Sequence, residues 1–304
     1  MKQRALKTAF ALKRAEVQAS ESQADKKVAR ILAIPEIKEA RAKYISAMFE
    51  STLGENNANE AKAKADYIAA LKKHGFTEND FKHAPLCPVC GDEGFVDGKL
   101  CSCVWSKYVT ALKAVCEIES RAPHTFNDAN FSVAKDEAQR DTLKKLYDFG
   151  KAWAQKLPSV KTKTLTFFGT AGTGKTFLSS AIAREAVENG KSVKYVSAYE
   201  FNSAMLAVHT SLLDERDFKL HDYLTADLLV IDDLGTEPLL KNVSLEYLLL
   251  VLEERTNKGL TTLITTNLSP ARLIRRYGER IYSRLASKQF SRIFEFGGND
   301  LRIN

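Results

Sequence analysis

Gly169-Thr170-Ala171-Gly172-Thr173-Gly174-Lys175-Thr176 carries the spacing of a phosphate-binding loop at all eight positions. The glycines let consecutive backbone N–H groups wrap round an anion at the start of a helix. Lys175 supplies a point charge to the β- and γ-phosphates, and the Thr176 hydroxyl is a ligand for Mg²⁺. Farther along, Leu228-Leu229-Val230-Ile231 runs into Asp232 and Asp233. An apolar strand ending in two carboxylates sets them at the carboxyl edge of a parallel sheet, where such sheets bind ligands. There Asp232 would hold Mg²⁺ through water and Asp233 would polarise an attacking water. Leu263-Ile264-Thr265-Thr266 ends at Asn267, placed either to orient that water or simply to turn the chain. Gly278-Glu279-Arg280-Ile281-Tyr282-Ser283-Arg284-Leu285 puts two arginines on one helical face, suited to phosphate charge or to solvent.

A different chemistry is written in Cys87-Pro88-Val89-Cys90 and Cys101-Ser102-Cys103. Two close pairs offer four thiolates, the ligand set of a closed tetrahedral zinc site that leaves no open position for a substrate. Gly91, Gly94 and Gly98 between the pairs favour a short hairpin. An iron–sulfur cluster, four unligated thiols, or His74 or His83 in place of one cysteine are the alternatives. Cys116 lies on a helical stripe with Leu112 and Val115 and reads as core.

These residues need a scaffold, and from residue 160 onward strand and helix alternate. Leu165–Phe168, Val193–Val196, Leu228–Ile231, Leu260–Thr265 and Ile293–Phe296 read as strands. Phe177–Asn189, Glu200–Val208, Ser244–Asn257 and Pro270–Tyr277 read as helices. That order predicts an α/β fold, a mostly parallel five-stranded sheet with helices on both faces. Residues 1–83 read as a helical arm. In it Ile37, Ala40, Tyr44, Ile45, Met48 and Phe49 form one stripe, and Ala65, Ile68 and Leu71 another closed by Gly75. Gly54-Glu55-Asn56-Asn57 is the expected turn between the two. Residues 84–116 form the cysteine module, and 117–160 a linker leading into an ATPase core at 161–304.

The 304 residues are 44% apolar and 27% charged, which excludes collagen-like and wholly disordered chains. No run reaches the length of a membrane span, and Lys7 and Lys13 interrupt the only apolar run that could serve as a signal core. A cytoplasmic protein without membrane contact is expected. The net charge of +7 gathers at residues 1–50 and 271–304, as on a nucleic-acid-binding or merely solvated surface.

Taken together, the phosphate loop, the Asp232-Asp233 strand followed by Leu234-Gly235, Thr265-Thr266-Asn267 and Gly278–Leu285 resemble AAA+ ATPases. More narrowly they resemble the bacterial and phage replicative helicase loaders of the DnaC/DnaI group. The likeness covers residues 121–304 and takes in Arg121-Ala122-Pro123, Phe126 and Phe131. It implies Walker A at Gly169–Thr176, Walker B at Asp232 and Asp233, sensor 1 at Asn267, an arginine finger at Arg280 and a second, sensor-like arginine at Arg284. Most AAA+ proteins carry Glu where Asp233 stands, and the shorter side chain suits a slow switch better than a motor. No helical lid is expected after the last strand, and the cysteine module is similar to that of the Gram-positive loaders. The resemblance implies ATP, Mg²⁺ and Zn²⁺ as cofactors, and a bacterial replicative helicase hexamer, single-stranded DNA and copies of this chain as partners. Lys241, Arg275, Arg276, Lys288 and Tyr277 are the candidate DNA contacts. An IstB-type transposition helper shares the ATPase core but not the cysteine knuckle. A small-molecule kinase and a non-hydrolysing adaptor fit the motif order less well.

Overall fold

Long runs of Ala, Lys, Glu and Gln with no glycine or proline build the first helix, α1 (Lys2–Leu32). Pro35, which cannot continue α1, opens the next one, α2 (Pro35–Thr52). The computed structural model describes residues 1–52 and 57–303; of the expected turn, Gly54–Asn56 lie outside the described residues, while Asn57 begins α3 (Asn57–Lys73). The chain divides into two units, Ala9–Lys107 and Tyr108 onward together with Met1–Thr8.

In the first unit α2 and α3 bury Ile37, Tyr67 and Leu71 against Ile31, and the Tyr44 and Tyr67 rings stack 6.0 Å apart. The α3 stop is a Schellman turn: Phe76 N–H reaches the Leu71 carbonyl and Gly75 N–H that of Lys72. The expected stripes are only partly buried. Phe49 is 63% exposed, since its position lies about 120° round the helix from Ile37. Met48 is exposed as well, and on α3 Tyr67 is buried rather than Ala65. Farther on, β1 (Phe95–Val96) and β2 (Lys99–Leu100) pair antiparallel through Asp97-Gly98, both left-handed as a tight hairpin requires. Cys101 follows directly, ahead of α4 (Ser102–Val115).

In the second unit come α5 (Ile118–Arg121), α6 (Glu137–Gln155), β3 (Thr164–Gly169), α7 (Lys175–Glu188), β4 (Val193–Ser197) and α8 (Ala198–His209). They are followed by α9 (Leu213–Thr225), β5 (Leu228–Leu234), α10 (Ser244–Asn257), β6 (Thr261–Thr266), α11 (Pro270–Ala286) and β7 (Ser291–Phe296). The sheet is parallel throughout, in the order β4-β5-β6-β3-β7. Each expected strand is present within a few residues. Two further helices are present, α6 in the stretch that reads as a linker and α9 between the expected helix ending at Val208 and the strand beginning at Leu228.

The core of this unit centres on Leu229, Ile231, Ile264, Met205 and Val251, packed between sheet and helices. Arg255 is fully buried at the end of α10, where its guanidinium donates to the Tyr223 and Thr261 carbonyls and to Thr262 Oγ1 at 3.0 Å. Cys116 is buried too, its sulfur accepting the Val193 N–H at 3.4 Å, as its place on an apolar stripe predicts. Among the described residues no helix is long and apolar enough to cross a membrane.

Candidate functional site

Between β3 and α7 the eight-residue loop curls so that Lys175, buried at the helix start, turns its ammonium back on the Gly169 and Thr170 carbonyls at 2.9 and 2.6 Å. Burial lowers its pKa, while Asp233 and Asp232 pull it back up. Thr173 Oγ1 donates to the Thr170 carbonyl at 2.9 Å and pins the loop's shape. The adjacent cavity, about 680 Å³, is lined by Ala171–Phe177, by Asp232, Asp233, Thr265 and Asn267, and by His124, Phe131 and Tyr147. Its size lies within the range of small-molecule sites.

The two acids owe their aim to a flaw in the sheet. β5 pairs with β6 in register as far as Ile231–Ile264, then resumes with Leu234–Thr266, so two residues face one. This bulge holds Asp233 at φ +60°, a left-handed conformation unusual outside glycine and typical of bulges beside functional sites. Thr265, the residue opposite, ties both acids. Its hydroxyl accepts the Asp233 N–H at 2.8 Å and donates to Asp232 Oδ1 at 2.6 Å. The same Asp232 oxygen accepts from Thr176 Oγ1 at 3.2 Å. Asn267 Nδ2 donates to Asp233 Oδ1 at 2.7 Å. Burial first, then the Asp232 charge, raises the Asp233 pKa, with Lys175 opposing. Thr176, Asp232, Asp233 and Asn267 are thus one hydrogen-bonded row across the strand ends, with oxygens that suit a hard divalent cation.

The far wall of the cavity comes from the segment before α6. Ser180 on α7 exchanges hydrogen bonds with the His124 backbone at 2.9 and 3.2 Å, and Arg184 Nε donates to the Ala122 carbonyl at 2.8 Å. So held, His124 stacks on Phe177 with ring centres 4.3 Å apart, and Tyr147 meets Phe131 edge-on at 5.0 Å. These rings offer a flat apolar berth beside the phosphate loop.

Arg280 and Arg284 stand elsewhere. The helix α11 breaks at Gly278, and beyond the break both guanidiniums meet one oxygen, Glu253 Oε1 on α10, at 3.2 and 3.0 Å. Neither lines the cavity. Of the candidate DNA contacts, Tyr277 is 4% exposed and its hydroxyl donates to Glu237, so it is core and no stacking platform. Arg276 is half-buried and bound to the Glu237 carbonyl, whereas Lys241, Arg275 and Lys288 are exposed. Sequence reading overlooked Thr265, His124, Glu253 and Arg302, the last of which also lines the cavity. Thr265 lies within a run already singled out, and His124 directly follows Arg121-Ala122-Pro123.

In the other unit, the Sγ atoms of Cys87, Cys90, Cys101 and Cys103 all lie within 4.8 Å of one another. The Cys87–Cys101 and Cys90–Cys103 separations are 3.8 and 3.6 Å, against about 3.8 Å for the edge of a tetrahedron with zinc–sulfur bonds. Asp92 shapes the first turn by accepting the Leu86 and Cys87 N–H groups at 2.8 and 2.9 Å and the Lys13 ammonium at 2.5 Å. Backbone N–H groups, that of Cys90 foremost, pull the Cys87 thiol down to about 6, whereas desolvation and then the neighbouring sulfurs push Cys103 up to about 12. The four sulfurs crowd as a metal would require and are compatible with zinc. His74 pairs with Glu36 at 2.7 Å and His83 with Asp25 at 3.3 Å, so neither histidine belongs to the cluster.

The chain is similar to known proteins over part of its length. The replicative helicase loader DnaI of Bacillus subtilis is 35% identical over 114 residues, 37% of this chain and 36% of that protein. The replicative helicase loader DnaC of Escherichia coli K12 is 28% identical over 199 residues, 60% of this chain and 78% of that protein. The chain therefore spans little more than a third of the first relative's length. A crystal structure of the DnaC helicase loader superposes with a TM-score of 0.47 at 23% identity, covering 58% of this chain and 98% of that one. A family model described as IstB-like ATP binding protein matches residues 114–285, more than half of the chain, including the phosphate loop, the acid pair and Asn267. With the loop, the acid pair and Asn267 all inside that match, the chain belongs to the IstB-like ATP-binding protein family.

Proposed function

We propose that this chain is an ATP-hydrolysing loader that places a bacterial replicative helicase on single-stranded DNA, with its nucleotide state as the switch. The observation that carries the reading is that relatives 28 and 35% identical over 199 and 114 residues are replicative helicase loaders. The joined row of Thr176, Asp232, Asp233 and Asn267 supports ATP chemistry at the cavity. Here Gly169–Thr176 wraps the phosphates and Lys175 leaves its carbonyl partners for the β- and γ-oxygens. Thr176 and Asp232 would hold Mg²⁺, which when bound would supply positive charge to the phosphates. Asp233, its basicity raised by burial, accepts the proton of the attacking water, and Asn267 fixes that carboxylate. Arg280 completes the site of a neighbouring copy across a subunit contact, and Glu253 holds both it and Arg284, the second, sensor-like arginine.

The arm and the zinc module grip the helicase hexamer, and zinc holds together a piece too small to bury a core of its own. The domain scheme follows: arm 1–83, zinc module 84–116, lead-in 117–160, ATPase core 161–304, working in the cytoplasm. A second reading, a transposition helper, draws on the family description itself. Native mass spectrometry of the chain mixed with its cognate helicase, with and without ATP and Mg²⁺, separates them. A complex with the hexamer carrying one zinc per chain is the expected result. Intact ATP binding without any such complex would shift the reading to the transposition helper, with a transposase on DNA as the next partner to try.

A further inference from the structure

Lys13 interrupts an apolar run near the start of the sequence, yet it is only 4% exposed. Its ammonium meets Asp92 Oδ1 at 2.5 Å, and the same oxygen accepts the Cys87 N–H at 2.9 Å. One carboxylate oxygen therefore separates this cation from the backbone of one of the four clustered cysteines. The other oxygen, Oδ2, accepts the Leu86 N–H at 2.8 Å, so Asp92 sets the turn that aims Cys87. Gly94 N–H donates to Cys90 Sγ at 3.3 Å, a second bond made to the cluster from outside it.

Neighbours of Lys13 on α1 meet the same module. Phe10 stacks on Phe95 with ring centres 5.2 Å apart, and Glu16 takes the Lys107 ammonium at 2.7 Å. Phe10, Lys13 and Glu16 recur at the i, i+3 spacing that shares one side of a helix. The contact is close. A Cβ on Gly94, at φ +84°, would stand 2.8 Å from Phe10 Cε1 and 2.9 Å from Val104 Cγ2. This face of α1 is thus seated on the loop between the two cysteine pairs.

Charge gives a reason for burying a lysine there. Four thiolates around Zn²⁺ leave an excess of negative charge, and Asp92 adds its own beside them. A half-buried carboxylate in that field needs a facing cation to hold its turn. We propose that Lys13 is the outer-shell cation of the zinc site, a positioning residue that neutralises Asp92 beside the four thiolates and makes this face of α1 part of the zinc module. The inference rests on the reading of the four cysteines as a zinc site. It assigns Phe10, Lys13 and Glu16 to the module rather than to a separate arm.

The test is the zinc affinity of the full chain, by competition with a chromophoric chelator at fixed pH, with the Co²⁺ spectrum recorded alongside. Lys13→Met keeps the buried stem and removes the charge. It should bind zinc about 10–100-fold more weakly, the range for a lost outer-shell partner, while Co²⁺ still gives a tetrathiolate spectrum. Lys13→Arg should recover most of the affinity, since a cleft of about 330 Å³ beside Lys13, Arg14 and Asp92 has room for a guanidinium. Glu16→Gln breaks the neighbouring ion pair and should stay within twofold of wild type. Lys13→Met within twofold of wild type would overturn the inference. So would an equal loss in Glu16→Gln, or Lys13→Arg as damaging as Lys13→Met, since either assigns the effect to packing of α1 and not to charge at Asp92. A wild-type chain that takes up no zinc and gives no tetrathiolate spectrum with Co²⁺ would instead remove the zinc reading, and that measurement tells the two failures apart.

Discussion

Thr265→Val is the most demanding perturbation of the site, because it keeps volume and shape while deleting one hydroxyl. Thr265 is 1% exposed, and its hydroxyl serves both acids at once: 2.6 Å to Asp232 Oδ1 and 2.8 Å from the Asp233 N–H. Losing a hydrogen bond to a charged acceptor costs about 1.5–3 kcal/mol, and leaving the Asp233 N–H without a partner in the bulge costs about 1–3 kcal/mol more. The two overlap in origin, so a net destabilisation of about 3 kcal/mol is expected. In a unit of this size that lowers the unfolding temperature by about 6–12 °C. Function should suffer separately. Asp232 loses its shortest tie, keeps the 3.2 Å contact with Thr176 and swings more freely, so the Mg²⁺ concentration for half-maximal ATP binding should rise about tenfold, equivalent to ~1.4 kcal/mol. Thr265→Ser restores the hydroxyl and should return the Mg²⁺ dependence while remaining slightly less stable. Calorimetry and Mg²⁺-dependent ATP titration read the two effects. A Thr265→Val protein that melts within a degree of wild type and needs no extra Mg²⁺ would refute the claim that this hydroxyl organises the acid pair.

Lys175→Ala should lower ATP affinity by about a hundredfold, the loss of two charge-assisted contacts, with little change in melting; retained ATP affinity would remove the lysine from the site. Arg280→Ala should bind nucleotide normally yet lose stimulated hydrolysis, and full-rate turnover in that variant would end its assignment as a finger acting across subunits. Chelation of zinc should unfold residues 84–105, seen as release of four reactive thiols, and spare ATP binding; lost ATP affinity would show that the two units do not act independently. Arg255→Met removes a buried guanidinium and orphans the Tyr223 and Thr261 carbonyls, so about 3 kcal/mol of stability should go. Unchanged unfolding would mean that those carbonyls find other partners.

What the sequence made legible was whatever depends on covalent neighbours. The phosphate loop needs eight consecutive residues between a strand and a helix, and the acid pair needs an apolar run that stops at the sheet edge; both can be read along the chain. The hairpin before Cys101 is of the same kind, since Asp97-Gly98 alone sets its turn. Phe49 escaped because a run of apolar residues was read as one face when helical geometry carries its end round to solvent. The α6 helix escaped for the opposite reason. Its buried Leu143, Leu146, Tyr147, Gly150 and Trp153 are at helical spacing, but the proline and phenylalanines ahead of them drew the eye to a linker.

Thr265, Glu253 and Arg302 belong to a third class, in which the partner is distant along the chain. The importance of Thr265 is fixed by a register shift between β5 and β6, and neither strand's composition encodes where its neighbour slips. Glu253 matters because α10 happens to face the half of α11 beyond Gly278. Arg302 lines the cavity on a stretch whose partners lie far off in sequence, Gln139 on α6 for Asn299 and Gly172 for Leu301. Motif reading therefore finds the atoms that meet the phosphates first and misses those that hold them in place. It also favours the arginines that sit in a familiar run over Arg302, which lines the cavity itself.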